Sequence, residues 1–316
     1  MPDFEKFVPQ PTADGSFTFT SKEFGEDFHS HYGAKQESFL KFAAPTQLAA
    51  RAQKPVLRLL DICYGLGYNT AAALQTIWEV NPDCDVEVMA LELNPSVPQA
   101  AIAHHLFDQW DYKYTEILTR LAYEYQLQQD HLQAEILIGD ARNSLRLLHK
   151  SGFQADAIFL DPFSPPQCPQ LWTVEFMRQI SSCLHADSIL ATYSCAAAVR
   201  TAFLSAGFKI GSTPPVGRRS PGTVAVHSES TESKDHFILP PLSQEEQEHL
   251  LTRAAIPYRD PQLHDSADVI IMRRQQEQQV CSLEPTSRWR KRWLLKNAGA
   301  DSEVRVRSQS ISSNSD

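Results

Sequence analysis

The stretch Leu59-Leu60-Asp61-Ile62-Cys63-Tyr64-Gly65-Leu66-Gly67-Tyr68-Asn69 reads as an apolar strand that enters a glycine turn and leaves as a helix. Two glycines one residue apart let the backbone bend sharply and bring its N–H groups close to a ligand. Further on, Ile158-Phe159-Leu160-Asp161-Pro162-Phe163-Ser164-Pro165-Pro166 reads as a second apolar strand, ending in a carboxylate, a proline-stiffened turn and an aromatic ring.

Working outward from these two segments, short apolar runs alternate with helical patterns from Val56 to Val226, the signature of an α/β sheet. Strands are predicted at 56–61, 86–91, 135–138, 157–160, 188–193, 208–212 and 223–226, and helices near 69–80, 97–107, 115–129, 143–150, 172–184 and 196–206. The expected fold is a doubly wound, mostly parallel seven-stranded sheet of Rossmann-like type, with an N-terminal hairpin lead-in and a helical C-terminal extension.

The domain plan that follows is a lead-in over 1–50, a core over 51–226, a polar linker over 227–243, a basic helical extension over 244–296 and a disordered tail over 297–316. In the lead-in, Phe17-Thr18-Phe19-Thr20 after Asp14-Gly15 predicts a short hairpin, and His29 and His31 read as surface residues.

Of 316 residues, 42% are hydrophobic, enough for one large core. No apolar run is long enough to cross a bilayer, and Met1-Pro2-Asp3-Phe4-Glu5-Lys6 lacks the features of a signal peptide, so a cytoplasmic location is expected. The six cysteines fall at irregular spacings without a C-x-x-C pair, so neither a metal site nor a disulfide framework is indicated. A net charge of −9 argues against indiscriminate nucleic-acid binding, so any such face must be local. One candidate is the basic segment containing Arg273, Arg274, Arg288, Arg290, Lys291, Arg292 and Lys296, with Trp289 and Trp293 interleaved. Cations mixed with aromatics suit a phosphate backbone and an unstacked base. The other reading is an amphipathic helix whose tryptophans pack on the body.

Asp61, Glu92, Asp140 and Asp161 all sit at predicted strand ends, where open parallel sheets bind ligands. Glu92 is placed to hold a ribose diol, Asp61 to face an ammonium, and Asp140, followed by Ala141, to accept from an adenine amino group. Gly65-Leu66-Gly67-Tyr68-Asn69-Thr70 lacks the third glycine of a dinucleotide fingerprint. Acceptors for a cationic, diol-bearing adenosyl ligand point to S-adenosylmethionine as the cofactor, with no metal. Asp161-Pro162-Phe163-Ser164-Pro165 resembles the Asp-Pro-Pro-aromatic turn of methyltransferases that modify amino groups. An aspartate there can orient a nitrogen nucleophile and stabilise its developing charge, so the resemblance implies N-methylation with Asp161 as the catalytic group. Phe163 and Trp172 are either substrate contacts or core aromatics.

Phe159-Leu160-Asp161-Pro162-Phe163-Ser164-Pro165-Pro166-Gln167-Cys168-Pro169-Gln170-Leu171-Trp172-Thr173 resembles the F-L-D-x-F-x-P-x-x-N-P-x-x-W motif of the MnmC family methyltransferase domain. Ala191-Thr192-Tyr193-Ser194, Val199-Arg200, Ala206-Gly207-Phe208 and Gly217-Arg218-Arg219 extend the likeness, which spans roughly 15–226. The resemblance implies a class I methyltransferase that completes 5-methylaminomethyl-uridine, with or without 2-thiolation, at the tRNA wobble position, with the anticodon stem-loop as partner. Carried over by position, it implies cofactor-binding roles for Glu37, Asp61, Tyr64, Gly65, Gly67, Asn69, Glu92, Asp140, Ala141 and Asp161. It implies substrate contacts at Phe163, Pro165, Trp172, Tyr193, Arg218 and Arg219, to which the basic segment adds Arg288, Arg290 and Arg292. Cys63 and Leu66 stand where the family usually has glycine and threonine, and Asp61 replaces a glutamate. Bifunctional members also carry a FAD-dependent oxidase domain, so a stand-alone methyltransferase is expected here. The alternatives are a transferase acting on a small amine and a non-catalytic RNA-binding adaptor.

Overall fold

The computed structural model describes residues 7–217, 220–227 and 237–295. Its centre is an eight-stranded sheet: β1 (Val56–Ile62), β2 (Asp85–Glu92), β3 (Gln126–Gln129), β4 (Leu132–Ile138), β5 (Ala155–Leu160), β6 (Leu184–Thr192), β7 (Phe208–Thr213) and β8 (Gly222–His227), in the order β7-β8-β6-β5-β1-β2-β4-β3. The five strands from β6 to β4 are parallel; at one side β8 runs against both β6 and the edge strand β7, and at the other β3 runs against β4. Helices α1 (Tyr68–Val80), α2 (Ser96–Ala103), α3 (Tyr112–Glu124), α4 (Ala141–Ser151), α5 (Val174–Ser181) and α6 (Ala197–Ser205) fill the connections.

All seven predicted strands are present, so the doubly wound class holds, and the correction is an eighth strand. Residues 126–129, read as the end of a helix, form β3 instead. Tyr125 at φ +60 stops α3, and Gln126-Leu127-Gln128-Gln129 then pairs with β4 across a tight turn. Glutamine and leucine are good helix formers, so ladder pairing has overridden local propensity here.

Strand alternation divides the core between two faces. Leu57, Leu59, Ala157 and Phe159 belong to one apolar cluster, whereas Leu60, Ile62, Ile158 and Leu160 belong to the other. Chain order reverses between β1 and β5, which puts the ends of those strands at the topological switch point, where a crevice is expected.

The lead-in forms two short antiparallel pairs, Gln10–Pro11 with Phe17–Thr18 and Thr20–Ser21 with Glu26–Asp27. A helix, Ala34–Glu37, follows and continues as a π-helical turn, Ser38–Ala43. After β8, residues 237–240 of the expected linker lie against β7, with Ser212 N–H donating to the Pro240 carbonyl at 3.0 Å. The C-terminal segment carries α7 (Gln244–His249), α8 (Ala267–Val280) and a closing helix over 286–295. Residues 228–236 of the linker and the expected tail lie outside the described residues.

Candidate active site

A cavity of about 960 Å³ opens at the switch point, roofed by the lead-in and floored by the ends of β1, β2 and β5. Of the residues expected at the site, Glu37, Gly65, Glu92, Asp161, Phe163 and Tyr193 line it.

The glycine turn is shaped by backbone conformations that side chains disfavour. Gly65 and Gly67 have φ of +57 and +97, and a Cβ on Gly67 would lie 2.7 Å from the Tyr64 hydroxyl. Cys63 also takes a left-handed φ of +70, which accounts for the glycine expected there from the family pattern. The Cys63 and Tyr64 N–H groups both donate to the Leu91 carbonyl, tying the turn to the end of β2.

Glu92 closes the same connection from the other side. Its carboxylate accepts from the Gly65 N–H and the Asn94 N–H, each at 2.8 Å. Burial raises its pKa, while these backbone donors oppose the rise. The carboxylate is thereby fixed beside the turn, with acceptor capacity left for a diol.

Asp61, Tyr64, Gly67 and Asn69 lie behind the lining rather than on it. Three of their buried polar atoms, Asp61 Oδ1, Tyr64 Oη and Asn69 Oδ1, have no protein partner. Groups so placed beneath a glycine turn suit a cofactor that carries an ammonium and hydroxyls, so the residues present fit an S-adenosylmethionine site. Asp61 is fully buried, and its other oxygen accepts from Thr70 Oγ1 at 2.7 Å. Burial pushes its carboxyl up to about 8 against the Thr70 bond, and the charges of Asp161 and Glu92 add to the rise.

A carboxyl raised on folding contributes stability that is complete below its unfolded pKa of about 4 and is lost as pH climbs through the folded value. Asp61→Asn should therefore gain stability relative to the parent between pH 4 and about 9, as read by denaturant unfolding of the ligand-free protein. A difference that does not change with pH would mean that Asp61 ionises normally in the folded chain.

Asp161 follows β5, with its N–H bonded to the Ile62 carbonyl at 3.1 Å and its Oδ2 accepting from Asn69 Nδ2 at 2.9 Å. The turn after it is held from two sides. Tyr193 Oη donates to the Pro162 carbonyl at 2.9 Å, and Trp172 Nε1 donates to the Phe163 carbonyl at 2.8 Å. Trp172 is fully buried and does not line the cavity, so the substrate-contact reading is corrected: it supports the turn from within the core. Pro165 is likewise buried outside the lining.

Sequence reading expects the lead-in to lie across the core, with Glu37 near the cofactor, but it misses the contacts that clasp this roof to the Asp161 turn. Phe24 stacks on Phe163 at 4.4 Å between ring centroids, and Phe28 meets the same ring edge-on at 5.0 Å. Glu26 accepts from the Ser164 N–H at 2.9 Å and from the Ser164 hydroxyl at 2.5 Å. The Thr20–Asp27 hairpin is thus clasped onto the Asp161 turn. Glu37 accepts from Lys41 Nζ at 2.6 Å and Ser30 Oγ at 2.5 Å; burial would raise its pKa, but these partners bring it below the usual value. His29 is not a surface residue: it is buried in the cavity wall, and burial holds its pKa down to about 4.

Asp140 caps α4, and its carboxylate is gripped by Arg142; neither it nor Ala141 is part of the cavity lining. Arg218 and Arg219 lie outside the described residues. In the basic segment, Trp289 is buried and stacks on His249 at 4.2 Å, while Arg292 pairs with Glu248 and Glu284. Arg273 and Arg274 bond to the Arg259 and Ile256 carbonyls. The packing reading holds for these residues, whereas Arg288, Arg290 and Lys291 are exposed.

Comparison with known proteins agrees with this geometry. A family model described as S-adenosyl-L-methionine-dependent methyltransferase matches residues 104–228. The chain is 30% identical over 282 residues to an uncharacterized protein of Methanocaldococcus jannaschii, covering 87% of this chain and 73% of that one. It is 29% identical over 218 residues to the tRNA 5-methylaminomethyl-2-thiouridine biosynthesis bifunctional protein MnmC of Aromatoleum aromaticum, covering 64% of this chain. It spans about a third of that bifunctional protein, 32% of its length. The crystal structure of MnmC2 from Aquifex aeolicus superimposes with a TM-score of 0.72 at 30% identity, covering 87% of this chain and 86% of that one. The chain belongs to the MnmC family, as an S-adenosylmethionine-dependent methyltransferase.

Proposed function

We propose that the enzyme methylates tRNA, converting the exocyclic amine of 5-aminomethyl-(2-thio)uridine at wobble position 34 to the methylamine. The observation that carries this reading is the charge of the cavity in a chain related to MnmC proteins. Among the described residues, six carboxylates line it (Glu23, Glu26, Asp27, Glu37, Glu92 and Asp161), against two lysines, Lys22 and Lys41. Such a lining favours a cationic cofactor and an amine substrate.

When bound, S-adenosylmethionine supplies a methyl group on a sulfonium, whose S–C electron pair stays with sulfur as the amine nitrogen bonds to the carbon. Asp161 orients the amine N–H groups and stabilises the positive charge that arrives on nitrogen. Asn69 holds Asp161 in place, Glu92 takes the ribose diol, and Phe163 and Tyr193 flank the acceptor. On this reading the protein works in the cytoplasm with the anticodon stem-loop as partner. Among the described residues, no helix is long and apolar enough to cross a membrane.

The acid lining equally favours a second reading, a small polyamine-like substrate. The deciding experiment is transfer of labelled methyl from S-adenosylmethionine to tRNA from cells that make the 5-aminomethyl group but not its methylated product, followed by nucleoside mass analysis. Label in 5-methylaminomethyl-uridine supports the tRNA reading. No label, with cofactor binding intact, supports the small amine.

The exposed cations make a separate prediction. Replacing Arg288 and Arg290 by Ala should weaken tRNA binding and lower the log–log salt slope by about one to two. Arg292→Ala should act mainly on the docking of the closing helix, since that side chain is already paired. An unchanged slope in the double variant would remove this segment from the RNA face.

A further inference from the structure

We propose that Asp260, in the C-terminal segment, is a positioning residue for the adenine end of the cofactor site, acting through Arg142 and Asp140. This rests on the reading that Asp140 accepts from the adenine amino group. Asp140 follows β4, whose end lies beside that of β2, with the Gly139 N–H bonded to the Glu92 carbonyl at 2.8 Å. The acid expected at the adenine is thus one residue away from a direct backbone bond to the acid expected at the ribose.

Asp140 does more than cap a helix. Asp111 caps α3 by accepting from the Lys113 N–H at 2.9 Å. Asp140 accepts the equivalent N–H of Arg142 at 2.9 Å and is also forked by that residue's guanidinium, with Nη2 on Oδ2 at 2.7 Å and Nε 3.1 Å from both oxygens. Three donor groups, with the Nε–H shared between the two oxygens, meet a carboxylate that has about four acceptor sites, so capacity remains on a side chain still 36% exposed.

What holds the guanidinium comes from far along the chain. Arg142 Nη1 donates to Asp260 Oδ2 at 2.9 Å and to the Asp265 carbonyl at 3.0 Å. Asp260 is fully buried; its Oδ1 accepts from the His264 and Asp265 N–H groups, and its own N–H donates to Glu175 Oε2 at 2.8 Å. A carboxylate with no exposure needs a partner for its charge, and Arg142 is that partner. The planar fork has one edge on Asp140 and the opposite nitrogen on Asp260, so the orientation of Asp140 is set by a residue of the C-terminal segment. The Pro257-Tyr258-Arg259-Asp260-Pro261 segment is packed to present it: Tyr258 bridges to Thr173 and lies under the Arg274 guanidinium.

The test is calorimetric binding, on the full chain, of S-adenosylhomocysteine and of S-inosylhomocysteine, in which a carbonyl oxygen replaces the amino group. The parent should prefer the adenine compound by about tenfold, the effect of one hydrogen bond to a charged acceptor. Asp140→Asn should abolish that preference. Asp260→Asn and Arg142→Lys should each reduce it about threefold or more while retaining a cooperative melt. Arg142→Lys keeps a cation for Asp260 but removes the fork, so it carries the test if Asp260→Asn does not fold. If Asp140→Asn loses the preference while the other two keep it, the proposal is overturned and the reading of Asp140 stands. If Asp140→Asn keeps the preference, the reading of Asp140 fails, and the proposal with it.

Discussion

Asp161→Ala should lower methyl-transfer turnover by a factor of about a hundred or more while leaving S-adenosylmethionine affinity within a few-fold. Asp161 is the carboxylate that the end of β5 presents to the cavity, and Asn69 and the Ile62 carbonyl fix it there. An acid so held stabilises charge that is absent from the amine before transfer, so its loss should fall on kcat. Single-turnover rates paired with calorimetric cofactor binding separate the two quantities. Equal losses in both would make Asp161 a cofactor ligand and move the acceptor chemistry elsewhere.

Trp172→Ala should destabilise the protein by about 3–5 kcal/mol, the range for removing a fully buried large aromatic. The indole sits among Tyr193, the Phe163 carbonyl and the cluster around Phe176 and Phe203. Trp172→Phe keeps most of the volume but leaves the Phe163 carbonyl without its donor, a loss of about 1 kcal/mol. Urea unfolding reads both. A loss below about 1 kcal/mol for the alanine variant, joined to weakened substrate binding, would return Trp172 to the substrate surface.

These two residues show what the sequence could and could not reveal. Asp61, Glu92, Asp140 and Asp161 were legible as strand-end acids because an apolar run that stops at a carboxylate marks both the strand and its end. Whether such an acid meets the cavity was not legible: Glu92 and Asp161 line it, while Asp61 is sealed beneath the turn and Asp140 is engaged by Arg142. An aromatic residue near an active turn carries no sign of its direction, so Phe163 and Trp172 read alike, although one lines the cavity and the other supports the turn. How the roof is clasped was illegible for another reason. Its strands are two residues long, and what fixes them is contact with Phe163 and Ser164, far away in sequence. Asp260 and Arg142 meet in the same way, through the fold rather than through spacing.

The clasped hairpin places Glu23, Glu26 and Asp27, against the single cation Lys22, at the rim of the cavity. For the proposed tRNA substrate, that rim is a gate sorted by the sign of charge. Ribose-phosphate is repelled at the threshold, whereas a nucleobase swung out of its stack and bearing an ammonium arm is drawn in, and that arm gives up a proton inside before its nitrogen attacks. Phosphate must then be held at a distance, by cations on another surface, while one base alone crosses. Selection between nucleosides begins at that threshold, before any group in the interior has touched the amine.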